Sequence, residues 1–203
     1  MDIPNDLSNG YERIAARYIA GRGKRRPDGF TVGGAVLQRW ASSLPVNSVI
    51  LDLGCGPGEP STRILREAGH IVFGVDASPS MVAAYRQNFP DAQIECNSVE
   101  ASSFFSRKFD AVLAWGLLFL LDAEAQELVI RKVARALELG GQFVFTSPPQ
   151  ILEWRDAMTG LESRSLGAEA YRHLLHSYGM TVTHEEEDEG QNHYYFSRLD
   201  LKE

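Results

Sequence analysis

The chain has 203 residues, with 44% hydrophobic and 23% charged residues, a net charge of −7 and two cysteines. That length suits one α/β domain with a sizeable core, expected to span residues 1–203, and leaves no room for two comfortable ones. The composition excludes several classes. No apolar run reaches the roughly 20 residues of a membrane helix, and two distant thiols, Cys55 and Cys96, make no disulfide scaffold. The acidic balance argues against a dedicated nucleic-acid binder. Residues 1–6 lack the basic start and apolar stretch of a signal peptide, and a reducing cytoplasm is the simplest expected compartment.

Helical spacing of Ile14, Ala15, Tyr18 and Ile19 predicts a first helix over 8–20, with Ser8 near its cap. A basic, Gly-rich loop follows at 21–29, then a second helix over 32–43 carrying Val36, Leu37 and Trp40. From there strand and helix alternate. Strands are predicted at 49–53, 71–75, 93–96, 109–115 and 142–146. Helices are predicted at 60–68, from 78 or 79 through Tyr85, and at 123–138, where Gly140-Gly141 is read as the stop. Apolar strands between amphipathic helices imply a parallel sheet covered on both faces. Beyond it, 167–178 reads as a helix, and 180–183 and 193–196 as an antiparallel edge pair flanking an acidic run at 185–192. Its acidic part, 185–189, is read as a solvated turn.

Ligands of open α/β sheets bind beyond the carboxyl ends of the strands. The first strand runs into Asp52-Leu53-Gly54-Cys55-Gly56-Pro57-Gly58, and the second ends in Asp76. Glycines allow a sharp turn and a close backbone approach. A dinucleotide fingerprint needs a third glycine where this chain has Glu59, whose charge opposes a pyrophosphate. Asp52 offers an acceptor for an amino group. Asp76 stands where a carboxylate takes ribose hydroxyls. A phosphate-free nucleoside with an amino-acid tail satisfies both positions. The bland alternatives are a tight turn for the glycines and a helix cap for Asp76.

Residues 49–58 resemble motif I of the class I S-adenosylmethionine-dependent methyltransferases. Val75-Asp76-Ala77-Ser78-Pro79-Ser80-Met81 is similar to that family's second motif, and 140–145 to its entry into strand five. The resemblance covers roughly 8–148, and is closest to the family's small-molecule members. It implies a Rossmann-like three-layer sandwich: a mostly parallel seven-stranded sheet with an antiparallel last strand. It also implies S-adenosyl-L-methionine as cofactor and residues 1–45 as a helical lid. By position, Gly54, Cys55, Gly56 and Pro57 would wrap the methionine end, Asp76 and Ala77 would meet the ribose, and Met81 would pack on adenine. The family's acidic residue after strand three has no Asp counterpart here. Asn97, Ser98 or the backbone of Val99 would substitute. Tyr18 and Arg22, with Tyr11, would face the cofactor from the lid.

Trp115-Gly116-Leu117-Leu118-Phe119 occupies the segment that usually faces the acceptor. It lacks the Asn/Asp-Pro-Pro-Tyr/Phe pattern of base- and glutamine-methylating members. Trp115, Trp154 and Tyr194 are candidate walls, and His193, with Tyr194 and Glu153 behind it, is the candidate base. His173 and His176 have metal-ligand spacing without a third ligand. The expected function is therefore methyl transfer to a small-molecule O, N or C acceptor by in-line displacement. The alternatives are an RNA or protein methyltransferase, a nicotinamide-dependent oxidoreductase, or a non-catalytic cofactor-binding module.

Overall fold

A computed structural model describes residues 6–21 and 31–200. Helix α1 (Tyr11–Gly21) and helix α2 (Gly34–Ser43) precede the alternating region. That region comprises β1 (Val49–Leu53), α3 (Ser61–Glu67), β2 (Ile71–Asp76), α4 (Pro79–Asn88), β3 (Gln93–Cys96), β4 (Phe109–Ala114), α5 (Ala123–Ala136) and β5 (Leu137–Thr146). Then follow β6 (Ile151–Arg155), β7 (Glu162–Leu166), α6 (Ala168–Ser177), β8 (Met180–Glu187) and β9 (His193–Leu199).

Seven strands form one sheet in the order β3-β2-β1-β4-β5-β9-β8. The pairs from β3 to β5 are parallel, and β9 runs antiparallel to both neighbours. The expected Rossmann-like sandwich is therefore present. Both sheet faces are apolar because successive side chains alternate. Ile50, Ala111, Leu113 and Val144 face α2 and α3, where Val36, Leu37, Trp40 and Leu65 meet them. Leu51, Val112, Phe143 and Phe145 face α5 and α6, against Val129, Val133, Tyr171 and Leu175. Helix α2 is thus part of the body, and of the two N-terminal helices α1 is the one bordering the cavity described below. The order reverses between β1 and β4, so their carboxyl ends open a crevice.

Three sequence expectations need correction. Helix α5 stops at Ala136, not 138, because the Lys108 ammonium donates to the carbonyls of Arg135 and Leu137 at its end, and Leu137 already pairs with Phe109. Gly140-Gly141 therefore lies inside β5 rather than ending the helix. The acidic run is not a solvated turn: Glu185–Glu187 belong to β8, and Asp188 is buried. Its carboxylate accepts from the amides of Gly190 and Asn192, the Asn192 side chain and the Tyr194 hydroxyl. The β6–β7 hairpin was not foreseen. β6 leaves Ile151 and Leu152 exposed and β7 buries the small polar Ser163 and Ser165, so the pair carries no period-two apolar signal.

The hairpin is fastened from beneath. The buried Tyr171 hydroxyl donates to Gln126 Oε1 (2.7 Å), lies 2.8 Å from Ser147 Oγ, and accepts from the Leu166 amide (3.2 Å). Gln126 Nε2 in turn donates to the Arg164 carbonyl. Tyr171→Phe would strand a buried acceptor and a backbone donor. It should cost about 2–3 kcal/mol, or roughly 5–10 °C of melting temperature, and should speed hydrogen exchange in 151–166. Unchanged melting and exchange would contradict this anchoring role.

Candidate functional site

A cavity of about 280 Å3 lies at the carboxyl ends of β1, β2 and β4. Its floor is the glycine loop. Gly56 has φ +54°, a left-handed conformation that side chains disfavour. A Cβ placed there would point toward the Tyr18 ring at 3.7 Å, so the missing side chain leaves room for a ligand. Gly54 and the buried Cys55 also line the cavity. Burial pushes the Cys55 thiol well above its ordinary pKa, so it is no thiolate nucleophile. Pro57 does not line the cavity; its carbonyl holds Asn88 Nδ2 at 2.9 Å behind the loop.

Asp76 joins the loop to the second motif. One carboxylate oxygen accepts from the Gly56 amide (2.8 Å) and the other from the Ser78 amide (2.9 Å). Ser78, not Asp76, is the N-cap of α4, accepting from the Met81 amide. Burial raises the Asp76 pKa despite these amides. Asp76, Ala77 and Met81 all border the cavity.

After β3, Ser98 and Val99 line the cavity, whereas Asn97 turns to Glu95 and the Ser98 amide. Glu100 also lines it. Its carboxylate stands one residue beyond the stretch predicted to substitute for the missing Asp. This short loop is fixed by Lys132 of α5, whose ammonium donates to the carbonyls of Val99 (2.6 Å), Glu100 (2.7 Å) and Ser102 (2.8 Å). Lys132 was legible only as one charge on a helix.

Asp52 is almost fully buried and is not among the lining residues. The hydroxyls of Ser61 and Thr62 donate to its Oδ2 at 2.7 and 2.8 Å. Burial nevertheless pushes its pKa up to about 6. Glu59 lines the cavity beside the start of α3 and pairs with Arg63.

At the open end, Trp115, Leu117, Phe119 and Val32 supply apolar walls. Tyr11 and Tyr18 of α1 reach in from above, their rings edge-to-face at 5.3 Å. Asp156 of the hairpin and Asn192 of the turn before β9 complete the rim. Neither drew attention in the sequence, because each depends on a loop whose path local patterning does not specify. Trp154 and Tyr194 do not line the cavity. Trp154 packs on Phe119, and Tyr194 is buried 6.4 Å from Trp115 with its hydroxyl on Asp188. His193 is not a lining residue either. Strand alternation turns it away from its neighbour Tyr194, and its Nε2 meets Glu185 at 2.9 Å. Glu153 does not support it; that carboxylate faces Arg164. His173 and His176 are exposed on α6, and no metal-binding cluster occurs among the described residues. Arg22 lies outside the described residues.

Residues 50–141 match a family model described as a methyltransferase domain. That match spans less than half of the chain and makes this segment similar to that family. A malonyl-(acyl-carrier protein) O-methyltransferase of Enterobacter lignolyticus is 34% identical over 99 residues, covering 48% of this chain and 38% of that relative. The chain thus matches well under half the length of this relative. Among solved structures, SAM-bound CalS10, an amino pentose methyltransferase from Micromonospora echinaspora, superposes with a TM-score of 0.68 at 16% identity, covering 92% of this chain and 96% of that one. The cyclase SpnF superposes at 0.72 and 17% identity, covering 97% of each chain. At such identities the methyltransferase-domain likeness extends to fold alone, and one fold serving a methyltransferase and a cyclase means that the reaction must be argued from the site.

No described helix is long and apolar enough to cross a membrane. The buried Asp52 makes a pH prediction. Its carboxyl ionises near the usual 3.8 in the unfolded chain and near 6 when folded. Its contribution is therefore full below about pH 4 and is lost as pH rises through about 6, a change of roughly 3 kcal/mol. Asparagine keeps an oxygen for Ser61 and Thr62 but does not ionise. In urea unfolding, Asp52→Asn should gain about 2–3 kcal/mol relative to wild type between pH 4 and pH 8. A pH-independent difference would contradict the buried, uncompensated charge.

Proposed function

We propose that the chain is an S-adenosylmethionine-dependent methyltransferase acting on a small-molecule O, N or C acceptor. The observation that carries this reading is the Asp76 carboxylate, held against the Gly56 amide in the wall of the cavity. Each of its oxygens takes one backbone amide and keeps lone-pair capacity for a ribose hydroxyl. The cavity fits this cofactor better than a dinucleotide. Among the described residues its lining includes Glu59, Asp76, Glu100 and Asp156 and no Lys, Arg or His. That field opposes a diphosphate and favours a ligand carrying positive charge.

When bound, S-adenosylmethionine supplies a methyl group activated by a positively charged sulfur. The protein's residues would do the rest by binding and alignment. Asp76 would accept from the ribose, Glu100 from the base amino group, and Met81 would pack on the base. Gly54, Cys55 and Gly56 would admit the amino-acid tail, with Asp52 supporting the loop from behind through Ser61 and Thr62. Tyr18 would present its ring face to the cation. Trp115, Leu117 and Phe119 would exclude water from the acceptor side for in-line displacement. CalS10 is an amino pentose methyltransferase with the same fold, which supports a small-molecule acceptor. The acidic field disfavours nucleic acid.

Thermal unfolding with S-adenosylhomocysteine tests this. At about 100 times its dissociation constant, the ligand should add roughly 2.7 kcal/mol, near 5–10 °C for a domain of this size. NADH should add nothing. A shift with NADH alone would overturn the reading in favour of redox chemistry.

A further inference from the structure

Glu12, in the first turn of α1, spends its carboxylate on another helix. It accepts from the Ser78 hydroxyl, from the Ser80 amide at 3.1 Å and from the Ser80 hydroxyl at 2.6 Å. Those residues open α4, the helix that follows Asp76. Helix α4 already has its own cap, since Ser78 Oγ accepts from the Met81 amide. Glu12 is therefore not needed as a substitute cap. Burial would raise its pKa, but the serine hydrogen bonds outweigh that and hold it below the ordinary range, so it is ionised at neutral pH.

Its placement makes one continuous path. Glu12 holds Ser78; the Ser78 amide holds Asp76; Asp76 holds the Gly56 amide of the glycine loop. The same end of this helix, two residues before Glu12, rests on the hairpin. A Cβ at Gly10 would lie 3.0 Å from Leu161 and 3.2 Å from Thr159, so that turn seats tightly on the β6–β7 tip. The same tip carries Asp156, whose Oδ1 accepts from the amides of Met158 and Thr159. The start of α1 thus touches both the Asp76 end of the site, through Glu12, and the hairpin tip, through Gly10, while Tyr11 and Tyr18 of the same helix line the cavity.

We propose that Glu12 is a positioning residue that fastens α1 to the Asp76 end of the site, so that cofactor binding at Asp76 orders α1 and the hairpin tip as one unit. This rests on the cofactor reading above. The test uses Glu12→Ala and Ser80→Ala, with S-adenosylhomocysteine as the probe, calorimetry for affinity and hydrogen exchange for residues 7–21 and 156–161. In the wild type, the probe should slow exchange in both segments. In Glu12→Ala, affinity should fall about tenfold, the expectation for losing charge-assisted hydrogen bonds, and exchange in 7–21 should be fast with or without the probe. Ser80→Ala, which removes one donor, should lie between. Wild-type affinity together with intact, probe-responsive exchange in Glu12→Ala would overturn the proposal; should that variant not fold, the same result in Ser80→Ala would do so. Failure of the wild type to bind the probe would overturn the cofactor reading and this proposal with it. Normal binding with probe-responsive exchange in both variants, the wild type binding as expected, would overturn this proposal alone.

Discussion

The structure around the cavity depends on one carboxylate with two amide partners. Asp76 ends β2 and takes the Gly56 amide from one segment and the Ser78 amide from the next. The first bond fixes the glycine loop, and the second sets the entry into α4. Desolvation makes this arrangement costly, which is why the Asp76 pKa is raised even with both amides in place. Asp52 adds to the cost, being buried near the end of β1, just before the glycine loop, with two hydroxyl donors. Two desolvated carboxylates on either side of one glycine loop work against stability. The proposed ligand would bring hydroxyl donors to Asp76, which borders the cavity, and Asp52 would support the loop from behind.

The sheet's role is to place these groups. The reversal between β1 and β4 opens the crevice, and the apolar faces of both strands are sealed by α2 and α3 on one side and by α5 and α6 on the other. Support for the site comes from helices whose polar side chains reach across to loops. Lys132 of α5 gathers three carbonyls of the loop after β3, and Tyr171 of α6 anchors the hairpin. Neither borders the cavity, yet each fixes a segment that does.

Much of this was legible in the sequence. The apolar runs at 49–53, 71–75 and 109–115, with glycines and Asp76 at their ends, located the sheet and the glycine-loop side of the cavity. Those features are local: a strand, a turn and a carboxylate within about twenty residues. The opposite wall of the cavity was less legible. His193 and Tyr194 are adjacent in sequence, but adjacent strand residues point to opposite faces. Asp156 and Asn192 reach the cavity through a hairpin and a buried Asp188 turn, whose hydrogen bonds join residues that carry no apolar pattern. Glu12 was hidden in the same way, since its partners lie 66 and 68 positions away.

The central claim is that Asp76 reads a ribose. A thermodynamic cycle tests it most directly: calorimetric affinities of S-adenosylhomocysteine and its 3′-deoxy analogue for the wild type and for Asp76→Ala. A hydrogen bond to a charged group is worth about 1.5–3 kcal/mol. Removing the hydroxyl should therefore weaken wild-type binding by roughly ten- to a hundredfold, and should change Asp76→Ala binding by less than about threefold. Equal losses in the two proteins would show that the hydroxyl and the carboxylate do not meet, and would contradict the account.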